Sequence, residues 1–545
     1  MGTRTTLVVA VVSACSASSI PIDPTPPPPP PPSDNPIDVA IWPRLIEEGF
    51  TDLTPATTNE LCRRISLDLT GVSPQADEVA TLCTGKSPEQ IVRGFMALPR
   101  FRDTERRFWI RRIGAEPTAL MADHIADADR IYLAAADGTI GYDDMVAQLV
   151  AHPIITLHRS IAEADDVAPT VLHVFNTFLG RAPSAIEIDD FANLLRPWQR
   201  RFEDRYDLGY SYYVRPAALD PRACLDAVLG ASACTSTLLG APTTVDLQIT
   251  PRVPSGYSQT SDNLYYYELA QGDMPAALQA ELEKPGRLLA TRAELWDEAA
   301  DVALSRFVGW WRSTPNEPDS VLPEVQQALG SWFRGHETRD LRELYVVVMT
   351  SLLYTSSSEV VTDGERPPWT TGPTKLLEPE QLLDSVARAL GRELGQCDPH
   401  TEEEVGLDFY WPDRLRTSQP SGWYGFGYDF YRQSAVMLGG CLGARQAPRN
   451  PGLPALLTHI ELARGLCAPP SELLPAGIDA AAPATVAVAT DLFTRFLARA
   501  PASDEVAMLD AAAAACLGDS GCATAKNLAI EVCGALLRSS AFLYY

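Results

Sequence analysis

Positive charge is what this chain has least of. Its 44 Lys and Arg face 70 Asp and Glu, which leaves a formal net charge of −26. Phosphate binding needs a basic surface, so the balance argues against nucleic acid as a partner. It also opposes direct adhesion to anionic lipid. Long apolar runs are missing as well: no stretch of about twenty residues could cross a bilayer as a helix. There is no His-Glu-x-x-His, no Walker loop and no Gly-x-Gly-x-x-Gly after a strand, the signatures of zinc proteases, nucleotide sites and dinucleotide sites. None of the eleven cysteines sits in Cys-x-x-Cys-His, so covalent haem c is not expected. The expectation is therefore no cofactor, no metal and no catalytic residue that can be named, and an activity more readily read as binding than as an enzyme's.

What the chain does have begins at its start. Residues 1–14 read as a signal peptide: one cation, Arg4, then an apolar stretch from Leu7 to Ala14 that is too short to span a bilayer. The stretch ends in small residues before Cys15, an arrangement that resembles a lipobox, in which the cysteine carries lipid. Residues 15–38 form a Pro-rich linker whose seven consecutive prolines enforce a stiff polyproline stalk. The expected location is the outer membrane or cell surface, held through the lipid alone, with a periplasm-facing orientation as the alternative. Lipidation of Cys15 leaves an even number of cysteines for an oxidising compartment. Local disulfide candidates are Cys62 with Cys83, Cys224 with Cys234, and Cys516 with Cys522. That leaves Cys397, Cys441, Cys467 and Cys533 for longer links.

The chain also repeats itself. "FNTFLGRAPSAIE" begins at Phe175 and "FTRFLARAPASDE" at Phe493. Before each, apolar residues fall at helical spacing: Val171, Val174, Phe175, Phe178 and Leu179, then Ala489, Leu492, Phe493, Phe496 and Leu497. Arg-Ala-Pro ends the helix, because a residue preceding proline avoids the α region. A second helix then starts, with Ser184 and Glu187 as a capping box; Ala502 replaces that serine while Glu505 remains. A degenerate copy places Leu61, Ile65 and Leu69 on the stripe, Gly71 at the stop, and Pro74 and Glu78 at the same spacing. A companion element follows each corner: a helix ending in two apolar residues, a small or polar step, then usually an aromatic. It occurs at Ile91, Ala223, Val346 and in the final "EVCGALLRSSAFLYY".

About four related helical units result, near 55–115, 168–240, 295–360 and 486–545, with the opening half of the third hard to see. The fold class predicted is mainly α: several related helix-turn-helix units packed together, with long structured loops and at most a small β element. The divisions are an N-terminal helical domain over 39–165, a second unit with a loop or strand insertion over 166–290, a central region with an aromatic loop over 291–465, and a C-terminal unit over 466–545.

"RRISLDLTGVSP" resembles the Arg-Arg-x-x-Leu-Asp-Leu-Thr-Gly-x-x-Pro signature of the planctomycete cytochrome-associated domains of unknown function. "LPRFRDTERRFWIRRIG", "IGYDDMVAQLVA", "LLEPEQLLDSVARALG" and "ALLRSSAFLYY" are similar to further elements of that family, in its order. The resemblance implies an exported bacterial protein, of a kind sometimes fused to a c-type haem domain. It brings no activity and no catalytic residues.

Remaining features are weaker. "GDSG" at Gly518–Gly521 matches a serine-protease tetrapeptide but lies between two cysteines in helical surroundings, which suits a disulfide-closed turn. "CDPH" at Cys397–His400 lacks the second pair a zinc site needs. "ADGTIGYDD" is half a calcium loop with Leu133 and Ala135 at ligand positions. "TTVDLQIT" at Thr243–Thr250 alternates like one strand. The densest aromatic stretch, Phe409 to Tyr431, offers Trp411, Trp423, Tyr424 and Tyr428 as ligand-stacking candidates, against a loop packed on the helical core. The leading expectation is an exported, lipid-anchored binding or scaffold component whose partner is another exported protein or a polysaccharide. The alternatives are an accessory hydrolase or binder for extracellular polysaccharide, and a partner of a separate c-type cytochrome.

Overall fold

The computed structural model describes residues 31–114, 122–152, 155, 168–195, 276–309, 322–358, 367–391, 438, 465–467, 473–519 and 521–545, with six short strands between 199 and 269 given by their backbone. The chain is mainly α, as its periodicity predicts. It opens with α1 (Pro36–Glu48), α2 (Thr58–Thr70), the single turn α3 (Ala76–Glu78) that continues as a π-turn over Val79–Cys83, α4 (Pro88–Met96), α5 (Pro99–Arg112), α6 (Ala122–Ala136) and α7 (Tyr142–Ala151). Then come α8 (Ala168–Phe178) and α9 (Ala185–Leu195). The strands make three antiparallel two-stranded ribbons. Thr243–Asp246 and Ile249–Arg252 belong to different ribbons, so the single strand expected over Thr243–Thr250 is divided in two.

The second half holds α10 (Ala276–Ala290), α11 (Ala293–Val308), α12 (Pro323–Gly335), α13 (Leu341–Thr350), α14 (Leu352–Thr355) and α15 (Pro379–Leu390). It finishes with α16 (Val486–Leu497), α17 (Ser503–Leu517), α18 (Ala525–Leu537) and α19 (Ser540–Leu543).

One local device recurs. The helices α2, α8, α11 and α16 each end at a residue of positive φ: Gly71 at 70°, Gly180 at 67°, Gly309 at 75° and Ala498 at 55°. A residue of positive φ turns the chain, and glycine takes that conformation without a Cβ penalty; at Gly71 the N–H also satisfies the Leu67 carbonyl at 3.0 Å. The opening half of the third unit, hard to see in sequence, is thus α11 and Gly309. Where the third helix of a unit is described, it packs back on the first: α4 on α2, α13 on α11, and α18 on α16. The companion element then inserts an aromatic ring: Phe101, Tyr354 and Phe542 are all buried.

The two matching corners share the same arginine–glutamate grip. Arg181 grips Glu187 with two hydrogen bonds of 2.9 and 2.8 Å, and Glu187 caps the next helix by accepting from the Ser184 N–H at 2.8 Å. Arg499 grips Glu505 at 2.6 and 2.7 Å, and Glu505 accepts from the Ala502 N–H at 2.7 Å. Each guanidinium also lies over the motif's first phenylalanine, 5.4 Å from the Phe175 ring and 5.0 Å from that of Phe493. The motif's arginine therefore ties both helices together, a role its sequence position alone does not disclose. Phe178 and Phe496 are both fully buried. In the degenerate copy Val72 stands where the arginine would be. Glu78 still caps, accepting from the Gln75 N–H at 3.0 Å, but takes its guanidiniums from elsewhere: Arg100 at 2.6 Å and Arg388 at 2.7 Å.

Among the described residues two apolar cores result. The first draws on helices from α1 through α14 and includes Trp369; the second is made from α15 to α19 and neighbouring residues. Among the described residues only α2 serves both. Its Leu61, Ile65 and Leu69 enter the first core, while Leu67, two residues round from Ile65 and so on another face, enters the second.

Candidate functional site

The resemblance motif sits at the junction of the two cores. A complete capping box, Thr57 with Glu60, starts α2. Arg63 and Arg64, adjacent in sequence, point to opposite sides. Arg63 donates to the carbonyls of Ala541 and Phe542, the latter at 2.6 Å, and its guanidinium lies 5.8 Å from the Phe542 ring. Arg64 donates to the carbonyls of Tyr354 and Ser356, the latter at 3.0 Å, and lies 5.6 Å from the Tyr354 ring. Each arginine thus holds the aromatic terminus of a different unit by the same pair of contacts.

Asp68, one turn on, accepts from Tyr354 Oη at 2.7 Å and Tyr545 Oη at 3.1 Å, and pairs with Lys375 Nζ. The Lys375 and Tyr545 backbones exchange hydrogen bonds of 2.9 and 3.0 Å, which stitches the C-terminus to the chain before α15. Burial pushes Arg63 down to about 10, which leaves it charged at neutral pH. Burial, and then Asp68, raises the Tyr354 and Tyr545 hydroxyls well above their ordinary value. A lysine, an aspartate and two tyrosines in one cluster have the makings of proton chemistry. Here they point at one another and at backbone carbonyls, and the arrangement serves to fasten segments.

A different arrangement faces solvent. A cavity of about 390 Å³ is lined by Asp143, Arg287, Ala290, Thr291, Trp296, Arg334 and Arg339. Trp296 is its buried floor, held by its indole N–H on the Ala290 carbonyl at 3.1 Å, and the Arg339 guanidinium lies 5.4 Å from that ring. Arg339 pairs with Asp143 at the start of α7. Arg287 pairs with Asp144 at 2.9 Å and Glu283 at 2.6 Å. Arg334 donates to a neutral acceptor, the Thr291 carbonyl, at 3.1 Å. Arg339 has φ of 49°, unusual for a residue with a Cβ, and its carbonyl accepts from the Tyr142 N–H at 2.9 Å. Asp143 and Asp144, part of the half calcium loop in sequence, here face guanidiniums. The cleft draws on α7, α10, α11, α12 and the chain before α13, so no local pattern announces it.

The sites named from sequence fare unevenly. Cys62 pairs with Cys83, Cys516 with Cys522, and Cys467 with Cys533. Cys15, Cys224, Cys397, Cys441, Trp411, Trp423, Tyr424 and Tyr428 lie outside the described residues, and of Cys234 only the backbone is described. Ser520 is likewise outside, but Asp519 Oδ1 accepts from the Gly521 N–H at 2.8 Å and the Gly521 carbonyl accepts from Asn527 at 2.8 Å. These bonds, with the Cys516–Cys522 link, close a turn. Among the described residues no helix is long and apolar enough to cross a membrane, and no three His, Cys, Asp or Glu side chains gather as metal ligands.

The residues that carry the resemblance, Arg63 to Pro74, are now placed on α2 and its corner. Residues 36–193 match the family PSCyt2, described as a protein of unknown function (DUF1549). The PSCyt2 match covers α1 to α9, hence the first unit, α5 to α7 and the opening corner of the second. No curated protein and no solved structure matches the chain.

Proposed function

We propose that this chain is an exported, lipid-anchored, non-enzymatic binding component whose helical units act as a rigid scaffold. The observation that carries export is the set of three disulfides joining Cys62–Cys83, Cys467–Cys533 and Cys516–Cys522. Such bonds form and persist in oxidising compartments and are rare where thiols are kept reduced. The apolar stretch before Cys15 and the proline stalk behind it supply the anchor and the spacer. Several acyl chains on one cysteine would hold the chain durably, as one chain would not. The binding role rests on the arginine-lined cleft, which is open to solvent while the Asp68 cluster is occupied with its own partners.

The test of the anchor is fractionation of a Cys15→Ala variant, or of the native chain after globomycin treatment. The expected result is release from, or mislocalisation within, the membrane fraction. Normal membrane retention of Cys15→Ala would refute the anchor.

A further inference from the structure

We propose that the cleft above Trp296 binds the carboxylate of an acidic sugar, which deepens the binding reading given above and rests on it. Three guanidiniums around one opening are unexpected in a chain of net charge −26. Asp143 shares the lining with them and Asp144 and Glu283 stand behind Arg287, so three carboxylates meet three guanidiniums and Arg334 is the one bonded to a neutral acceptor. Two of the three are tied by acidic neighbours, Arg339 by Asp143 and Arg287 by Asp144 and Glu283. Arg334, exposed and bonded to a carbonyl, keeps the rest of its fork for an oxyanion. A guanidinium presents parallel N–H donors that match a carboxylate in two-point fashion.

Arg339 adds a second, independent observation. A left-handed backbone in a residue with a side chain is unfavourable and survives where the surroundings impose it, as at active sites and ligand clamps. Here the conformation aims Arg339 across the Trp296 ring into the cleft. Its buried Nε has no hydrogen-bond partner within the described residues.

Size argues for more than a bare ion. About 390 Å³ lies within the range of small-molecule sites, and one or two sugar rings fill it. The ligand's hydroxyls would meet the polar rim, Thr291 included. The acidic remainder of the surface does not prevent this, because charges more than about 8 Å away are screened at physiological ionic strength.

The experiment is titration calorimetry of the full chain without its first fourteen residues, using galacturonate and its disaccharide, with galactose, inorganic sulfate and inorganic phosphate as separate arms. The expected result is binding of the uronates, none of galactose, and a loss of about tenfold or more in affinity for Arg334→Ala. Arg334 is exposed, so that variant keeps its fold; a matched far-ultraviolet dichroism spectrum checks it. Uronate affinity unchanged in Arg334→Ala overturns the cleft assignment while leaving a binding role elsewhere standing. Sulfate or phosphate binding as tightly as uronate overturns the sugar-acid assignment. Absence of uronate binding overturns the proposal, and if neutral glycans also fail, the saccharide-binding reading falls with it.

Discussion

Arg181 and Arg499 each fold back over a phenylalanine and grip the glutamate that caps the next helix, yet the two corners sit in different company. At the first, Glu187 also takes Arg292 at 2.5 Å and Arg181 also takes Glu294 at 2.9 Å, both from the start of α11. At the second, Arg499 pairs with Glu505 at 2.6 Å and with no other carboxylate among the described residues. The turning residues differ in step. A Cβ on Gly180 would come within 2.0 Å of Glu298 Oε2, and Glu298 is fixed by Arg112 at 2.5 Å. At Ala498 a methyl is accommodated and only the backbone is unfavourable. The shared thirteen residues specify the corner; the choice of glycine or alanine records how closely a neighbouring helix approaches.

Phe178→Ala and Phe496→Ala should each cost about 3–5 kcal/mol in denaturant unfolding, since both side chains are fully buried at the same helical position. A loss below about 1 kcal/mol at either would end the equivalence.

Gly180→Ala combines a left-handed alanine with a collision at Glu298 and should cost about 2–4 kcal/mol. Ala498→Gly relieves the same backbone without opening a contact and should be neutral or stabilising by up to about 1 kcal/mol. Equal effects at the two sites would contradict the reading of Gly180 as a close approach.

The degenerate corner gives a smaller, pH-dependent effect. Burial alone would raise the Glu78 carboxyl, but hydrogen bonds from Arg388 and Arg100 outweigh it and hold Glu78 at about 2. A carboxyl depressed in the folded state stabilises fully above its unfolded value and loses that contribution as pH falls from 4.5 towards 2. Glu78→Gln should therefore lower stability at pH 7 by at most about 3 kcal/mol, and should flatten stability between pH 5 and pH 2. A variant whose unfolding curve keeps the native pH slope would show that Glu78 is not the linked group.

Much of this was legible in the chain before folding. The stripes ending at Phe178 and Phe496, the Ser184–Glu187 capping box and the Gly71 stop are local signals, set by spacing along one helix. The arginine of the motif was not, because its partner lies six residues on and its ring contact behind it. The opening half of the third unit was hidden because Gly309 is followed by no Arg-Ala-Pro. Most of the cleft was hidden for a stronger reason: Arg287, Arg334 and Arg339 are scattered in sequence and meet only when α10, α12 and the chain before α13 come together. Likewise Arg63 and Arg64 read as a family signature, but what they hold lies 290 residues or more away.

Arg63 and Arg64 fasten two different units to α2. Amide hydrogen exchange on Arg63→Lys and Arg64→Lys tests this directly, because lysine keeps the charge but loses the fork. Arg63→Lys should speed exchange at Lys375, Leu377 and Tyr545, whose N–H groups join the C-terminus to the chain before α15, and leave the amides of Ala56 and Ser357 protected. Arg64→Lys should do the reverse. Unchanged protection in both variants, or the same loss at both segments whichever arginine is altered, would show that the two arginines do not hold separate units.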